Sequence, residues 1–332
     1  CRGRGKSVGG EEYVKNIFKI IVYVVLVTMV VIVGLLFLIS KIPAVPEDYT
    51  QTVKTGGHLE AKYIAMGEHN VSYFESPAMM SFKKYEIFYP SDISERNDSL
   101  PVVVFVNGTG VKGSKYPALQ KHLASWGFLT IATEEEYAWN GFSAEMCIRF
   151  LTFLNGYEEK EAGKENIFYG KIDLDRVGIT GHSQGGIGVI NAATDQKHSD
   201  IYKAAVILSC GNTDFSVAFQ WTFDDTRMET PTLILGSTGN MDSLIAPLES
   251  LQKLYHNIPD KVTKVLARRN DADHGEMLYY ADGYVTAWFM YYLNGDTEAG
   301  NAFFGENAEL LTNPLYQDQK TWTDSEADFR DG

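Results

Sequence analysis

Cysteine is scarce, and its pattern makes the first exclusions. The chain has three, Cys1, Cys147 and Cys210, with no C-x-x-C pair and no Cys/His cluster at zinc spacing. It is therefore neither a disulfide scaffold nor an evident metalloprotein. Cys147 and Cys210 read as two buried small hydrophobes, with pairing outside the cell as the alternative. Basic charge is also in short supply. Lys and Arg number 29 against 43 Asp and Glu, a formal net charge of -14. That argues against nucleic acid as a partner, which calls for a basic patch. Internal repeats and low-complexity tracts are absent as well.

What is present is ordinary for a globular protein. The 332 residues are 45% apolar and 22% charged, enough to bury a sizeable core. The first residue is Cys1 rather than methionine, so the true start is expected upstream.

Residues 17–39 form one long apolar run, IFKIIVYVVLVTMVVIVGLLFLI, with Lys19 as its single charge. About 20 such residues cross a hydrocarbon core as a helix, whereas the apolar core of a signal peptide is about 7–15. The run is read as a retained single-pass membrane anchor. Arg2, Arg4, Lys6 and Lys15 precede it, and Lys41, Glu47 and Asp48 follow. The positive-inside rule then puts 1–16, a basic tail, in the cytoplasm and everything after Lys41 outside. Residues 40–54, with Pro43 and Pro46, read as a stalk, 55–310 as one domain and 311–332 as an acidic tail.

Within that domain β-type segments alternate with helical ones, the rhythm of a mostly parallel α/β sheet flanked by helices. Strands are expected at 85–89, 102–106, 128–132, 177–180, 204–208, 232–235 and 264–267. Helices are expected at 116–126, 143–154, 186–193, 248–256 and 284–293.

The strand at 177–180 runs into Gly181-His182-Ser183-Gln184-Gly185-Gly186. This is G-x-S-x-G between a buried strand and a helix, the setting in which a serine hydroxyl is lifted above a sheet. Side chains at Gly181 and Gly185 would collide with neighbouring backbone. Ser183 is the expected nucleophile, and a serine needs a base to take its proton.

In such a fold the partners follow in the order serine, acid, histidine. His198, His256 and His274 lie after Ser183, and His274 falls in a loop after the last expected strand. Asp242 is the carboxylate in the loop after the strand ending at 235, with Asp214, Asp224 and Asp225 as alternatives. Asp271 and Asp273 are too near His274 in sequence to reach round its ring and read as a solvated charge cluster. The oxyanion donors are expected to be the backbone N–H groups of Gln184 and Thr109, with Gly110 second.

Gly108 to Gly113 also matches G-x-G-x-x-G, with Glu134 near the spacing of a ribose-binding acid. A nicotinamide enzyme is thus a minor alternative, and it leaves Ser183, Asp242 and His274 unexplained. For the substrate, Phe215 and Trp221 after one strand and Trp139 after another are candidate apolar contacts, and Gly110 a backbone one. Packing on the core is their competing role.

The segments PVVVFVNGTG, KIDLDRVGITGHSQGG, PTLILGSTGNMDSLIAP and DHGEMLYYADGYVTAWFMYYLNGD resemble the α/β-hydrolase branch that holds cutinases, polyester hydrolases and dienelactone-hydrolase-like and chlorophyllase-like esterases. The resemblance covers roughly 55–310. It implies the α/β-hydrolase fold, a Ser183–Asp242–His274 triad and oxyanion donors at Thr109 and Gln184. The expected reaction is ester cleavage with no cofactor, placed outside the cytoplasm by the topology read from the apolar run. Gln184 stands where cutinases carry methionine, and Thr109 where they carry an aromatic. A peptidase or acyltransferase of the same fold is the alternative, and a non-catalytic surface protein the bland one.

Overall fold

The computed structural model describes residues 23, 28, 29, 42–158, 166–211 and 213–323, the side chains of 213–215 excepted. The basic tail 1–16, nearly all of the expected anchor 17–39, and 324–332 lie outside the described residues. Among the described residues no helix is long and apolar enough to cross a membrane. The chain divides between Pro43 and Ala44, and the unit from Ala44 onward carries everything below.

That unit holds one nine-stranded sheet in the order β1-β2-β4-β3-β5-β6-β7-β8-β9. The strands are β1 Val71–Pro77, β2 Lys84–Pro90, β3 Leu100–Val106, β4 Leu129–Thr133, β5 Ile172–His182, β6 Tyr202–Leu208, β7 Thr232–Ser237, β8 Lys264–Arg269 and β9 Tyr316–Trp322. From β4 through β3 to β8 the neighbours are parallel. The β1–β2, β2–β4 and β8–β9 pairs are antiparallel. The mostly parallel sheet and its flanking helices fit the expected α/β-hydrolase fold.

β3 is apolar and buried along its whole length, and the second halves of β5 and β6 are buried too, because both faces of the sheet are covered there. Along β3, Val102 and Val104 enter one core cluster while Val103 and Phe105 enter the other, as the two-residue period of a strand requires. The helices used below are α1 Tyr49–Thr52, α2 His58–Ile64, α3 Pro117–Ser125, α4 Phe142–Gly156, α5 Gln184–Thr194, α6 Thr213–Ala218, α7 Asn240–Ile245, α8 Leu248–Asn257 and α9 Asp282–Asn294. Cys147, Ile148 and Leu151 of α4 pack on the first cluster with Ile187 and Ile190 of α5. Leu119 and Leu123 of α3 pack on the second with Tyr284, Trp288 and Phe289 of α9.

The described elements of the sheet domain reach past 55–310 at both ends. The presumed stalk contributes α1, where buried Tyr49 donates its hydroxyl proton to Asp282 at 2.6 Å. The presumed acidic tail contributes β9, paired to β8. β9 (YQDQKTW) and β1 (VSYFESP) are edge strands, half-exposed and rich in polar residues. An edge strand keeps polar groups toward water, so a search for apolar runs passes over both.

Candidate active site

β5 ends at His182 and α5 begins at Gln184, leaving Ser183 alone on the turn. Its φ of 58° with ψ of -123° is a strained conformation for a residue with a side chain. Two glycines let the turn close. A Cβ on Gly181 would lie 2.3 Å from the Gly185 carbonyl oxygen, and one on Gly185 would lie 2.1 Å from that of Val106. The Ser183 N–H donates to Leu208 O at 2.8 Å, which ties the turn to β6. As N-cap of α5, Ser183 also sits at the positive end of the helix dipole.

Across the cavity, His274 donates its Nδ1 proton to Asp242 Oδ1 at 2.7 Å. Asp242 is fully buried in the first turn of α7, and its other oxygen accepts the Ser237 N–H. Burial pushes this carboxyl up, but the hydrogen bonds from His274 and the Ser237 N–H outweigh it and hold the group below the usual carboxylate range. An ionised acid on Nδ1 leaves Nε2 with its lone pair, the form a general base needs. Ser183, His274, Thr109 and His182 line one cavity of about 420 Å³, with Ala44 and Tyr279 on its wall.

Sequence reasoning passed over His182. Its Nε2 lies 2.7 Å from His274 O, and a carbonyl only accepts, so His182 is the donor. Burial first, and the neighbouring His274 second, lower its pKa to about 3, which keeps the ring neutral. Asp273 is a correction. It is no solvated cluster member but the N-cap of the turn His274–Leu278, in a capping box with Glu276. Its Oδ1 accepts both the His274 N–H at 2.8 Å and the Asp242 N–H at 2.9 Å. The Asp-x-x-Glu spacing was the local signal for that cap.

The loop after β3 is pinned from beneath. Buried Asn107 donates from Nδ2 to Thr133 O at 2.7 Å and Glu135 O at 2.8 Å, and it accepts from the Tyr116 hydroxyl. The Gly110 N–H is committed to Glu136 O at 2.8 Å, so Thr109 is the better of the two donors considered in this loop. Glu134 is occupied too, accepting the Ser114 N–H at 2.9 Å and the Ser114 hydroxyl at 3.0 Å. The glycine run leads only into a 3-10 turn at Gly113–Lys115 and the next α-helix begins at Pro117, so the run does not open an α-helix, and Glu134 is not free for a ribose. The nicotinamide reading loses its support.

Trp221 lines a second cleft of about 680 Å³ with Phe223, Leu251, Leu254 and Cys210. Cys210 abuts the first turn of α5, since a Cβ on Gly186 would lie 3.1 Å from Cys210 Cβ. Trp139 packs instead against the core, and its carbonyl accepts from Asn191 at 2.8 Å. It does not line the Ser183 cavity, because its loop turns in under α5. The Phe215 side chain lies outside the described residues. Among the rival acids and bases, His198 pairs with Glu145 at 3.0 Å and Asp225 accepts from Asn257 at 3.1 Å, both away from Ser183. Asp224 caps the turn at Thr226. Cys147 and Cys210 are buried free thiols.

A bis(hydroxyethyl) terephthalate hydrolase of Streptomyces coelicolor is 29% identical over 202 residues, covering 60% of this chain and 57% of that protein. The chain thus spans little more than half the length of that relative. Cutinase est1 of Thermobifida alba is 27% identical over 215 residues, 64% of this chain and 65% of the cutinase. Cutinase 2 of Thermobifida cellulosilytica is 24% identical over 219 residues, 64% of this chain and 74% of the cutinase. The family model described as PETase, PET hydrolase-like, matches residues 52–320, more than half of the chain. On that match the chain belongs to the PET hydrolase-like family, in the cutinase and polyester-hydrolase branch of the α/β-hydrolases.

Proposed function

We propose that the protein hydrolyses carboxylic esters through an acyl-enzyme on Ser183. The observation that carries this is the 2.7 Å bond from His274 Nδ1 to buried Asp242, on the rim of the cavity that holds the strained Ser183. His274 Nε2 takes the hydroxyl proton as Ser183 Oγ bonds to the ester carbonyl carbon. The carbonyl oxygen turns negative, and the N–H groups of Gln184 and Thr109 stabilise it. The C–O bond then breaks, and the leaving alcohol receives the proton from Nε2. Water repeats the sequence on the acyl-enzyme and releases the acid. Asp242 orients the ring and stabilises the imidazolium throughout.

The relatives named for bis(hydroxyethyl) terephthalate and for cutin support ester rather than amide substrates. The cleft of Trp221, Phe223, Leu251 and Leu254 beside α5 suits an aromatic or aliphatic group on the ester. Phe215 belongs to the same segment. The apolar run 17–39 and the basic residues before it support a membrane-anchored enzyme whose catalytic domain faces outward.

A panel of p-nitrophenyl esters, bis(hydroxyethyl) terephthalate and peptide anilides tests the reaction class. Turnover of esters over anilides, lost in Ser183→Ala, is expected, and an anilide preference would make the protein a peptidase instead. Deleting 1–41 should release a soluble enzyme that keeps its activity. A truncated protein that stays with the membrane would contradict the topology.

A further inference from the structure

We propose that Asp273 is a positioning residue that holds the acid and the base of the active site in register through one carboxylate oxygen. The inference deepens the reading of Ser183, Asp242 and His274 as a triad and rests on it.

Asp273 Oδ1 accepts the N–H of His274 at 2.8 Å and the N–H of Asp242 at 2.9 Å. The first bond is an ordinary helix-capping contact to the next residue. The second adds nothing to the cap. It crosses 31 residues of chain and ties the loop of the acid to the loop of the base. The two loops are pressed together at this point, for a Cβ on Gly239 would lie 2.6 Å from Asp273 Oδ1 and 2.5 Å from Ala272 O. Glu276 holds the clamp in turn, its carboxylate accepting the Asp273 N–H at 2.8 Å.

His274 is then gripped at three of its four polar groups. Its N–H goes to Asp273, its carbonyl accepts from His182 at 2.7 Å, and its Nδ1 donates to Asp242 at 2.7 Å. Only Nε2 remains, the atom the reaction requires. Asp242 is gripped likewise, by Asp273 at its backbone and by Ser237 and His274 at its carboxylate. Without Asp273 the Asp242 N–H loses its acceptor, and the His274–Asp242 bond is left to hold the two loops in register by itself. A displacement of about 1 Å in such an assembly costs on the order of 100-fold in rate.

The experiment compares Asp273→Ser and Asp273→Asn with the wild-type protein. Serine keeps a capping hydroxyl but is too short to reach Asp242. The amide oxygen of asparagine can accept both N–H groups. With p-nitrophenyl butyrate, kcat should fall about 10- to 100-fold in Asp273→Ser with KM little changed. Asp273→Asn should recover to within about threefold of wild type on the same scale. The downfield proton resonance of the His274–Asp242 hydrogen bond should move in Asp273→Ser and stay in Asp273→Asn, a readout that needs no substrate. Wild-type kcat and an unmoved resonance in a folded Asp273→Ser protein would overturn the inference. So would an Asp273→Ser protein that unfolds while Asp273→Asn stays intact, because the residue would then serve folding alone. A wild-type protein that turns over no ester would remove the triad reading, while a moved resonance would still support the clamp.

Discussion

His182 donates its Nε2 proton to the carbonyl oxygen of His274 at 2.7 Å, with the two rings 4.5 Å apart. The residue before the nucleophile therefore holds the backbone of the residue that carries the base, from the far end of the sheet's central strand. That contact requires a neutral ring in a buried place, and burial beside His274 lowers its pKa to about 3.

A pH dependence follows with a definite sign. In the unfolded chain a histidine titrates near 6.5, so between about pH 3 and 6.5 the unfolded state binds the extra proton. Stability therefore rises with pH through that window and is lost as pH falls from about 6.5 toward 3, by up to about 1.4 kcal/mol per unit. Asp242, held low by His274 and the Ser237 N–H, adds its own loss only below the ordinary carboxylate range. His182→Gln keeps an amide donor and cannot titrate. Urea melts between about pH 4 and 6 should show a slope smaller by about one proton than wild type. An unchanged slope would contradict the assignment.

Asn107 spans the loop and the next strand by donating to Thr133 O and Glu135 O while accepting from Tyr116. Asn107→Ala leaves two carbonyls and a buried hydroxyl without this partner, at about 1–3 kcal/mol for each group left unmet. We expect a loss of about 2–4 kcal/mol in urea melts on that scale. Ester kcat should also fall more than about tenfold with little change in KM, because the loop carries Thr109. Melts and rates equal to wild type would show that the loop stands without it.

Gly185 has no room for a methyl group, with Val106 O only 2.1 Å from where a Cβ would sit. Gly185→Ala should lose more than about 3 kcal/mol or yield no soluble protein, since overpacking against fixed backbone cannot relax. Gly156, in the last turn of α4, has nothing within 4 Å of a built Cβ. Gly156→Ala is the control, expected to be neutral or stabilising by up to about 1 kcal/mol. Thermal melts of the pair check both, and tolerance of the first would undo the account of the elbow.

Cys147 and Cys210 are fully buried or nearly so and unpaired, and burial pushes both thiols up, Cys210 to about 12. Neither should react with a disulfide reagent such as DTNB until the protein unfolds. Reductant should leave the melting temperature where it was. Rapid labelling of either residue in the native protein would contradict the packing.

Most of the elbow was legible because its grammar is local. A buried strand, G-x-S-x-G and a helix occupy adjacent residues, and steric needs at Gly181 and Gly185 follow from that turn alone. Asp242 and His274 could be reached by chain order. Asp273 shows where legibility stops. Its cap to His274 is written in the Asp-x-x-Glu spacing, but its bond to Asp242 joins loops 31 residues apart and leaves no local trace. Trp139 and Trp221 make the same point, for both follow strands and both pack on the first core cluster, yet of the two Trp221 lines the cleft of about 680 Å³ and Trp139 does not. β1 and β9 escaped because polar edge strands lack the apolar runs that marked the centre of the sheet.

The most direct test of the central claim is fluorophosphonate labelling read by intact mass and peptide mapping. The account predicts one adduct, on the peptide containing Ser183, absent in Ser183→Ala and formed on the order of 1000- to 10,000-fold more slowly in Asp242→Asn. An adduct that persists in Ser183→Ala, or a wild-type protein that takes none, would contradict it.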